Sequence, residues 1–336
     1  MTARSDSTTP PPPILKRWVG IDEAGYGPNL GPLVMTLVVA EGPDDSPPRV
    51  WDDLASTVSR ADDPSRRLWV DDSKRVFRAR KGRDRLDSAT LALIDATARP
   101  APRTLGGLFE LLGAGSLEAV ELAPWLDPGH DPRYPSITSR SLCDAAVARR
   151  PFEGAPWRIV DVRSVVVGPK RFNDGLLASP TNTKATVHFA AFVELLRHLQ
   201  QTTPPDQAVA ARGDKHGGRH FYAEPLRAAF PEAEVIAGAE GPDLSAYQLI
   251  SPGRSPLSVE LVPRADGDDG LVALASIVSK TAREHWMDAF NAHWLAQIPG
   301  LKPTAGYPVD ALRFRRAIEP LCQARGLAPP DWWRVK

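Results

Sequence analysis

The run Pro32–Ala40 (PLVMTLVVA) constrains this chain more than any other segment. Its nine residues hold a single polar side chain, Thr36, and show no polar–apolar alternation. A strand of that kind is buried on both faces, so it belongs inside a sheet that other elements cover on each side. A second strand pattern, Trp18–Ile21, precedes it. The Gly- and Pro-rich stretch Asp22–Gly31 between them reads as a loop. Further strand patterns lie at Trp157–Gly168, Gln207–Arg212, Glu234–Ala237 and Leu257–Val262. Thr183–Gln201 is an amphipathic helix, with Val187, Ala191 and Leu195 at i, i+4 and i+8. Leu271 to about Leu295 is helical, and an Arg-rich segment near 75–98 is helix-like. Strands with helical connections predict an α/β fold.

Composition narrows the setting. Of 336 residues, 42% are hydrophobic and 24% charged, which is the balance of a globular chain. Residues 1–14 are polar and proline-rich and predict a disordered tail. That opening has no apolar core of a secretory signal, and no apolar run reaches the ~18 residues of a membrane span. The two cysteines, Cys143 and Cys322, are too few for a disulfide scaffold. The expectation is a cytoplasmic protein, a monomer, with no membrane partner. Forty-one basic residues balance 41 acidic ones, so net charge gives no argument for nucleic-acid binding and leaves only a local basic groove. Only nine of the basic residues are lysine, and four of them (Lys74, Lys184, Lys215 and Lys280) fall in the motifs below.

The acids carry the chemistry. Asp22 and Glu23 follow a hydrophobic strand and precede a glycine loop. Asp214 follows a second strand and Asp266 a third. Carboxylates at strand ends are how α/β enzymes assemble polyacidic metal sites. Gathered acids repel one another and must bind cations or shift their pKa. Hard oxygen donors suit Mg2+ or Mn2+, and the scarcity of His and Cys in these motifs argues against zinc. Acids after strands also serve as helix caps or solvated turn residues, and paired glycines such as Gly25 and Gly27 also make ordinary tight turns.

GIDEAGYGPNLGPLV (Gly20–Val34) resembles the opening signature of the type 2 ribonucleases H, the ribonuclease HII and HIII family. The resemblance continues in order through DDSKRV (Asp71–Val76), RSVVVGPKRFNDGLLASPTNTKATVHFAAF, ARGDKHGGR, DGDDGLVALASIVSKTARE and GYPVDALRF (Gly306–Phe314). Six ordered motifs span most of residues 18–314. The resemblance implies a ribonuclease H-like fold with a central mixed sheet flanked by helices. It implies a catalytic domain over 15–295, an insertion at about 77–157 and a C-terminal helical extension over 296–336. It also implies a metal site of Asp22, Glu23, Asp214 and Asp266 holding Mg2+ or Mn2+, with Asp268 or Asp269 as the other candidates for the fourth acid. The implied substrates are RNA–DNA hybrids, or duplex DNA containing a ribonucleotide, cut to a 3′-hydroxyl and a 5′-phosphate. Gly25, Tyr26, Gly27, Lys74, Asn182, Lys184, Lys280 and Tyr307 are the implied nucleic-acid contacts, with Thr186 beside them at the helix start. The alternatives are a non-catalytic nucleic-acid-binding relative and a nuclease retargeted to other nucleic acids.

Three departures stand out. Tyr26 occupies the place where ribonuclease HII usually has arginine. Lys215 and His216 follow the third aspartate, where small residues are usual. Residues 77–157 are long for the family. The Arg-rich stretch 75–85 is the one evident basic patch, and Trp332–Trp333 reads as a packed aromatic pair.

Overall fold

β1 (Leu15–Ala24) and β2 (Leu33–Pro43) pair antiparallel, with Asp22 opposite Thr36. The computed structural model describes residues 14–62, 67–179 and 181–335. Residues 1–13 of the expected tail lie outside the described residues. Ten consecutive residues of β2 are buried, as the unbroken apolar run requires. β5 (Arg158–Val167) covers its other edge, antiparallel. β6 (Val209–Asp214) and β9 (Leu257–Val262) lie parallel to β1 on the opposite side, followed by antiparallel β8 (Ser245–Ile250) and β7 (Glu234–Glu240). The seven-stranded order is β5-β2-β1-β6-β9-β8-β7. A minor pair joins β3 (Val58–Ser59) to β4 (Leu68–Trp69).

Helices cover both faces, so the architecture is the expected central mixed sheet flanked by helices. On one face lies α9 (Gly270–Gln297), buried without a break from Gly270 to Glu284. Its opening stretch Gly270–Ala275 is apolar on every side, as in a core helix, and the buried polar groups that follow are paired. With it pack α1 (Val50–Asp53), α2 (Ser73–Arg78), α3 (Gly82–Ala96), α4 (Leu105–Leu111), α5 (Ile137–Val147) and α10 (Pro308–Ala324). Residues of 77–157 and of 296–336 therefore share one hydrophobic core with α9. The other face holds α6 (Pro169–Ala178), α7 (Lys184–Thr202) and α8 (Ala223–Ala229) over a second core.

Two local expectations are corrected. The segment near 75–98 is two helices, because Lys81 turns left-handed and Gly82 approaches the carbonyl of Phe77 too closely for any side chain. β8 is an additional strand between the two expected after Arg212. Gly241–Pro242 and Pro252–Gly253 bracket it so tightly that its alternating buried–exposed pattern spans only six residues.

Gly20 decides how α9 meets the sheet. A side-chain carbon there would stand 2.2 Å from the Leu271 carbonyl carbon, so the bare glycine lets the start of α9 lie directly on β1. That contact brings the turn at 265–269 to the end of β1.

Candidate metal centre and nucleic-acid interface

The strand register assembles the acids. Ile21 pairs with Gly213 in parallel, so Asp22 and Asp214 end adjacent strands at the same edge. Asp214 pairs with Val262 on β9, and Asp266 lies four residues beyond that strand's end, in a short 3-10 turn. Three neighbouring parallel strands thus deliver four acids to one carboxyl edge, where open α/β sheets bind ligands.

Alternation along β1 splits the first two. Asp22 points to the α9 face, beside Ser276, and Ser279 donates to its backbone carbonyl at 3.0 Å. Glu23 points to the α7 face, where His188 Nε2 lies 3.3 Å from its carboxylate. Burial pushes the Asp22 carboxyl well up, and the charges of Glu23 and Asp266 push it further. Asp214 is raised by burial and then by Glu23, against hydrogen bonds from the Lys215 and Arg264 amides. Asp266 is raised by burial, Asp72 and Asp214, with Lys74 opposing. Glu23 goes the other way: burial would raise it, but His188, a hydrogen bond with Asp22 and the Lys74 charge hold it low. The four acids feel one another, and a dication would relieve that repulsion. As the side chains stand, no three His, Cys, Asp or Glu among the described residues are gathered tightly enough to hold an ion. The donor set itself, all carboxylate oxygen, is of the kind that suits Mg2+ or Mn2+.

The candidates for the fourth acid differ in their surroundings. Asp269 caps α9, accepting from the amides of Leu271 at 2.8 Å and Val272 at 3.2 Å, while Asp266 sits in the field of Asp22 and Asp214.

Around the acids, Gly25 has φ +92, and a side-chain carbon on it would meet the Pro32 carbonyl at 2.4 Å and Arg283 Nε at 2.7 Å. Lys184 Nζ reaches the Gly27 carbonyl at 3.3 Å, and the Tyr307 ring lies 3.9 Å from where a Gly27 side chain would begin. Lys74 is exposed on α2, whose Ser73 hydroxyl bonds Ser276 of α9 at 3.0 Å. Asn182 is exposed, with left-handed backbone just ahead of α7, and Thr186 follows in that helix's first turn. Lys280 is not among them: it is buried, bonds Glu284 at 2.6 Å and stands over Phe77. Lys215 is also turned away, donating to the Gly241 carbonyl and the Ser245 hydroxyl. Of the Arg-rich stretch, Arg75, Arg83 and Arg85 are held by Asp71, Asp288 and Asp62, leaving Arg78, Arg80 and Lys81 exposed. Trp332 and Trp333 are buried in the core.

The two sequence departures meet. The Tyr26 ring packs edge-on against His188, His188 packs against His216 with centroids 4.3 Å apart, and the Tyr26 hydroxyl lies 2.8 Å from where a Gly217 side chain would begin. Sequence reasoning missed His188, which sits inside the amphipathic helix as one more buried position. It also missed Arg334, whose guanidinium grips the glycine loop. A lone buried-looking histidine on α7 was the only signal for the first.

No family model matches the chain, and no curated protein matches it. Among solved structures, the chain is similar to ribonuclease HII of Archaeoglobus fulgidus, solved in a complex with PCNA. The identity is 16%, the TM-score is 0.41, and the match covers 95% of this chain and 94% of that one. It is similar to ribonuclease H2 of Pyrococcus horikoshii OT3 at 16% identity and TM-score 0.40, covering 94% and 92%. It is also similar to Bst-RNase HIII, solved with Mn2+, at 14% identity and TM-score 0.38, covering 95% of this chain and 66% of that one.

Proposed function

We propose that this chain is a metal-dependent endoribonuclease of the type 2 ribonuclease H class. It cuts RNA within RNA–DNA hybrids, or at a ribonucleotide embedded in duplex DNA, leaving a 3′-hydroxyl and a 5′-phosphate. The observation that carries the reading is the delivery of Asp22, Glu23, Asp214 and Asp266 to one carboxyl edge by β1, β6 and β9, within a chain that carries six ordered motifs of that class.

Asp22, Glu23, Asp214 and Asp266 would hold Mg2+ or Mn2+. When bound, such ions supply an activated water for in-line attack at phosphorus and charge for the departing 3′ oxygen. The remaining work falls to the chain's own groups. His188 fixes the Glu23 carboxylate. Lys74, exposed and within the field of the acids, counters a phosphate on the substrate side. Backbone groups of the loop Gly25–Gly27 would meet the 2′-hydroxyl of a bound strand, the group that tells RNA from DNA. Tyr307, 48% exposed beside Gly27, offers a ring face to a sugar or base. Lys184 and the polar turn from Asn182 to Thr186 at the start of α7 suit a phosphate.

The test is cleavage of three labelled duplexes with Mg2+ or Mn2+: an RNA–DNA hybrid, DNA with one ribonucleotide, and plain DNA. The reading expects cleavage of the hybrid or of the single-ribonucleotide duplex, none of plain DNA, and loss of cleavage with retained binding in Asp22→Asn. Tight binding of all three with no cleavage would replace it with a non-catalytic binder.

A further inference from the structure

Arg334 is fully buried, an unfavourable place for a guanidinium. No carboxylate among the described residues pairs with it. Its Nη1 donates to the Gly25 carbonyl at 2.6 Å and its Nη2 to the Tyr26 carbonyl at 3.0 Å. The guanidinium stands 3.8 Å over the Phe172 ring, and its Nε has no partner among the described residues. Burial, and then the nearby Arg283 charge, lower its pKa to about 9. An apolar side chain here would leave the Gly25 and Tyr26 carbonyls without their donor, so the arginine's work is to hold this loop.

The segment that brings it is laced down. The Arg334 amide donates to the Asn29 carbonyl at 2.8 Å, and Asn29 Nδ2 returns a bond to the Arg334 carbonyl at 3.0 Å. Asn173 of α6 donates to the carbonyls of Pro330 and Trp333 and accepts from the Val335 amide. Residues 330–335 therefore lie as a strap between α6 and the loop that follows β1.

The strap has a stereochemical consequence. In a trans peptide the carbonyl and the following N–H point in opposite directions. With the carbonyls of Gly25 and Tyr26 tied to one guanidinium, the N–H groups of Tyr26 and Gly27 both face away from it. Neither donates to another group among the described residues. Gly25, with φ +92, holds a left-handed turn that a side chain could not occupy, since its first carbon would meet the Pro32 carbonyl and Arg283. Successive free N–H groups held side by side form a concave donor pair for an oxygen.

We propose that Arg334 is a positioning residue, which orients the Tyr26 and Gly27 amides to receive an oxygen (sugar hydroxyl or phosphate) of the bound nucleic acid. The proposal rests on the ribonuclease reading above. It makes Arg334 part of substrate recognition although its own side chain touches no substrate.

The experiment compares wild type, Arg334→Gln, Arg334→Lys and a packing control, Phe314→Leu, in the full chain. Each is measured for hybrid and plain-DNA binding by fluorescence anisotropy in EDTA, for kcat and KM, and for melting temperature. Arg334→Gln is expected to weaken hybrid binding and raise KM about tenfold, the scale of one lost charged hydrogen bond, with kcat changed far less. Arg334→Lys keeps a cation that can hold one carbonyl, so it recovers part of the loss and carries the test should the glutamine variant not fold. Phe314→Leu lowers the melting temperature and leaves KM unchanged. Weakening confined to the hybrid identifies a sugar hydroxyl as the acceptor, and equal weakening on plain DNA a phosphate oxygen. An active wild type with unchanged KM in Arg334→Gln overturns the positioning role alone, as does an equal rise in KM from Phe314→Leu. A wild type that cleaves none of the three duplexes above overturns the ribonuclease reading, and this inference with it.

Discussion

His188 Nε2 lies 3.3 Å from the Glu23 carboxylate, and the imidazole is buried between Tyr26 and His216. The contact holds Glu23 low while burial and mutual repulsion raise the other three acids. His188→Phe keeps the ring packing and removes the donor. A hydrogen bond to a charged group contributes about 1.5–3 kcal/mol, so kcat is expected to fall roughly tenfold to a hundredfold. His188→Gln should recover part of it. Steady-state kinetics alongside Mn2+ binding by calorimetry check this, and an unchanged kcat in His188→Phe would remove His188 from the site.

The crowded acids predict their own response to a cation. Adding Mn2+ or Mg2+ should raise the melting temperature, by about 2.7 kcal/mol of stability at a hundred times the dissociation constant. Asp22→Asn removes one ligand and one repelling charge, so its melting temperature without metal should rise while the metal-induced shift shrinks. Calorimetry with and without EDTA reads both. Equal metal shifts in the two proteins would place the ion elsewhere.

Asp266 and Asp269 should separate cleanly. Asp269→Ala removes the cap of the central helix and is expected to cost about 1 kcal/mol of stability, with activity per folded molecule largely kept. Asp266→Asn should leave the melting temperature at or above that of wild type and abolish cleavage. The reverse pattern would exchange their roles.

Gly20→Ala places a methyl group 2.2 Å from the Leu271 carbonyl carbon, where only backbone movement can relieve it. The expected cost is about 3 kcal/mol, read by denaturant unfolding. Gly27→Ala meets nothing closer than Tyr307 at 3.9 Å and should fold as wild type. Equal stability of the two variants would mean that α9 does not rest on β1 as described.

Glu284 predicts an acid-limb effect. Burial would raise its carboxyl, but Lys280 at 2.6 Å, Arg283 and Arg83 outweigh burial and hold it below its ordinary 4.5. A depressed carboxyl contributes stability above its unfolded pKa and loses it as pH falls through the folded value. Glu284→Gln should therefore be less stable than wild type at pH 7, with the difference closing below about pH 4.5. Urea unfolding from pH 7 to 3 measures it, and a gap that persists at pH 3 would contradict the sign.

That Asp22, Glu23 and Asp214 stand at strand ends was legible, because an apolar run precedes each; β1 and β6 extend to include them, where the sequence suggested a loop after Ile21. The fourth acid was less sharply legible, since three aspartates crowd the same turn; the capping bonds set Asp269 apart, and Asp268 is exposed while Asp266 is half-buried. Lys280 reads as a phosphate contact in its motif, yet Glu284 one turn later and Phe77 of α2 enclose it. The break at 79–81 escaped the helix pattern because one left-handed residue interrupts it. Tyr26 and His216 stood out singly as departures, with nothing to say that His188 joins them.

Apolar runs and glycines, read along the chain alone, determined six of the seven strands of the main sheet, the helices α7 and α9, and the strand ends near which the acids fall. Those features depend on alternation and spacing over a few residues, which the chain carries locally. The tertiary structure decided which distant groups complete the site. Arg334 reaches the carbonyl of Gly25 across 309 positions of chain, and His188 reaches Glu23 from the opposite face of the sheet from α9. Such pairs form only when separate elements pack, because hydrogen bonds and burial act over a few ångströms of space, whatever the separation in sequence.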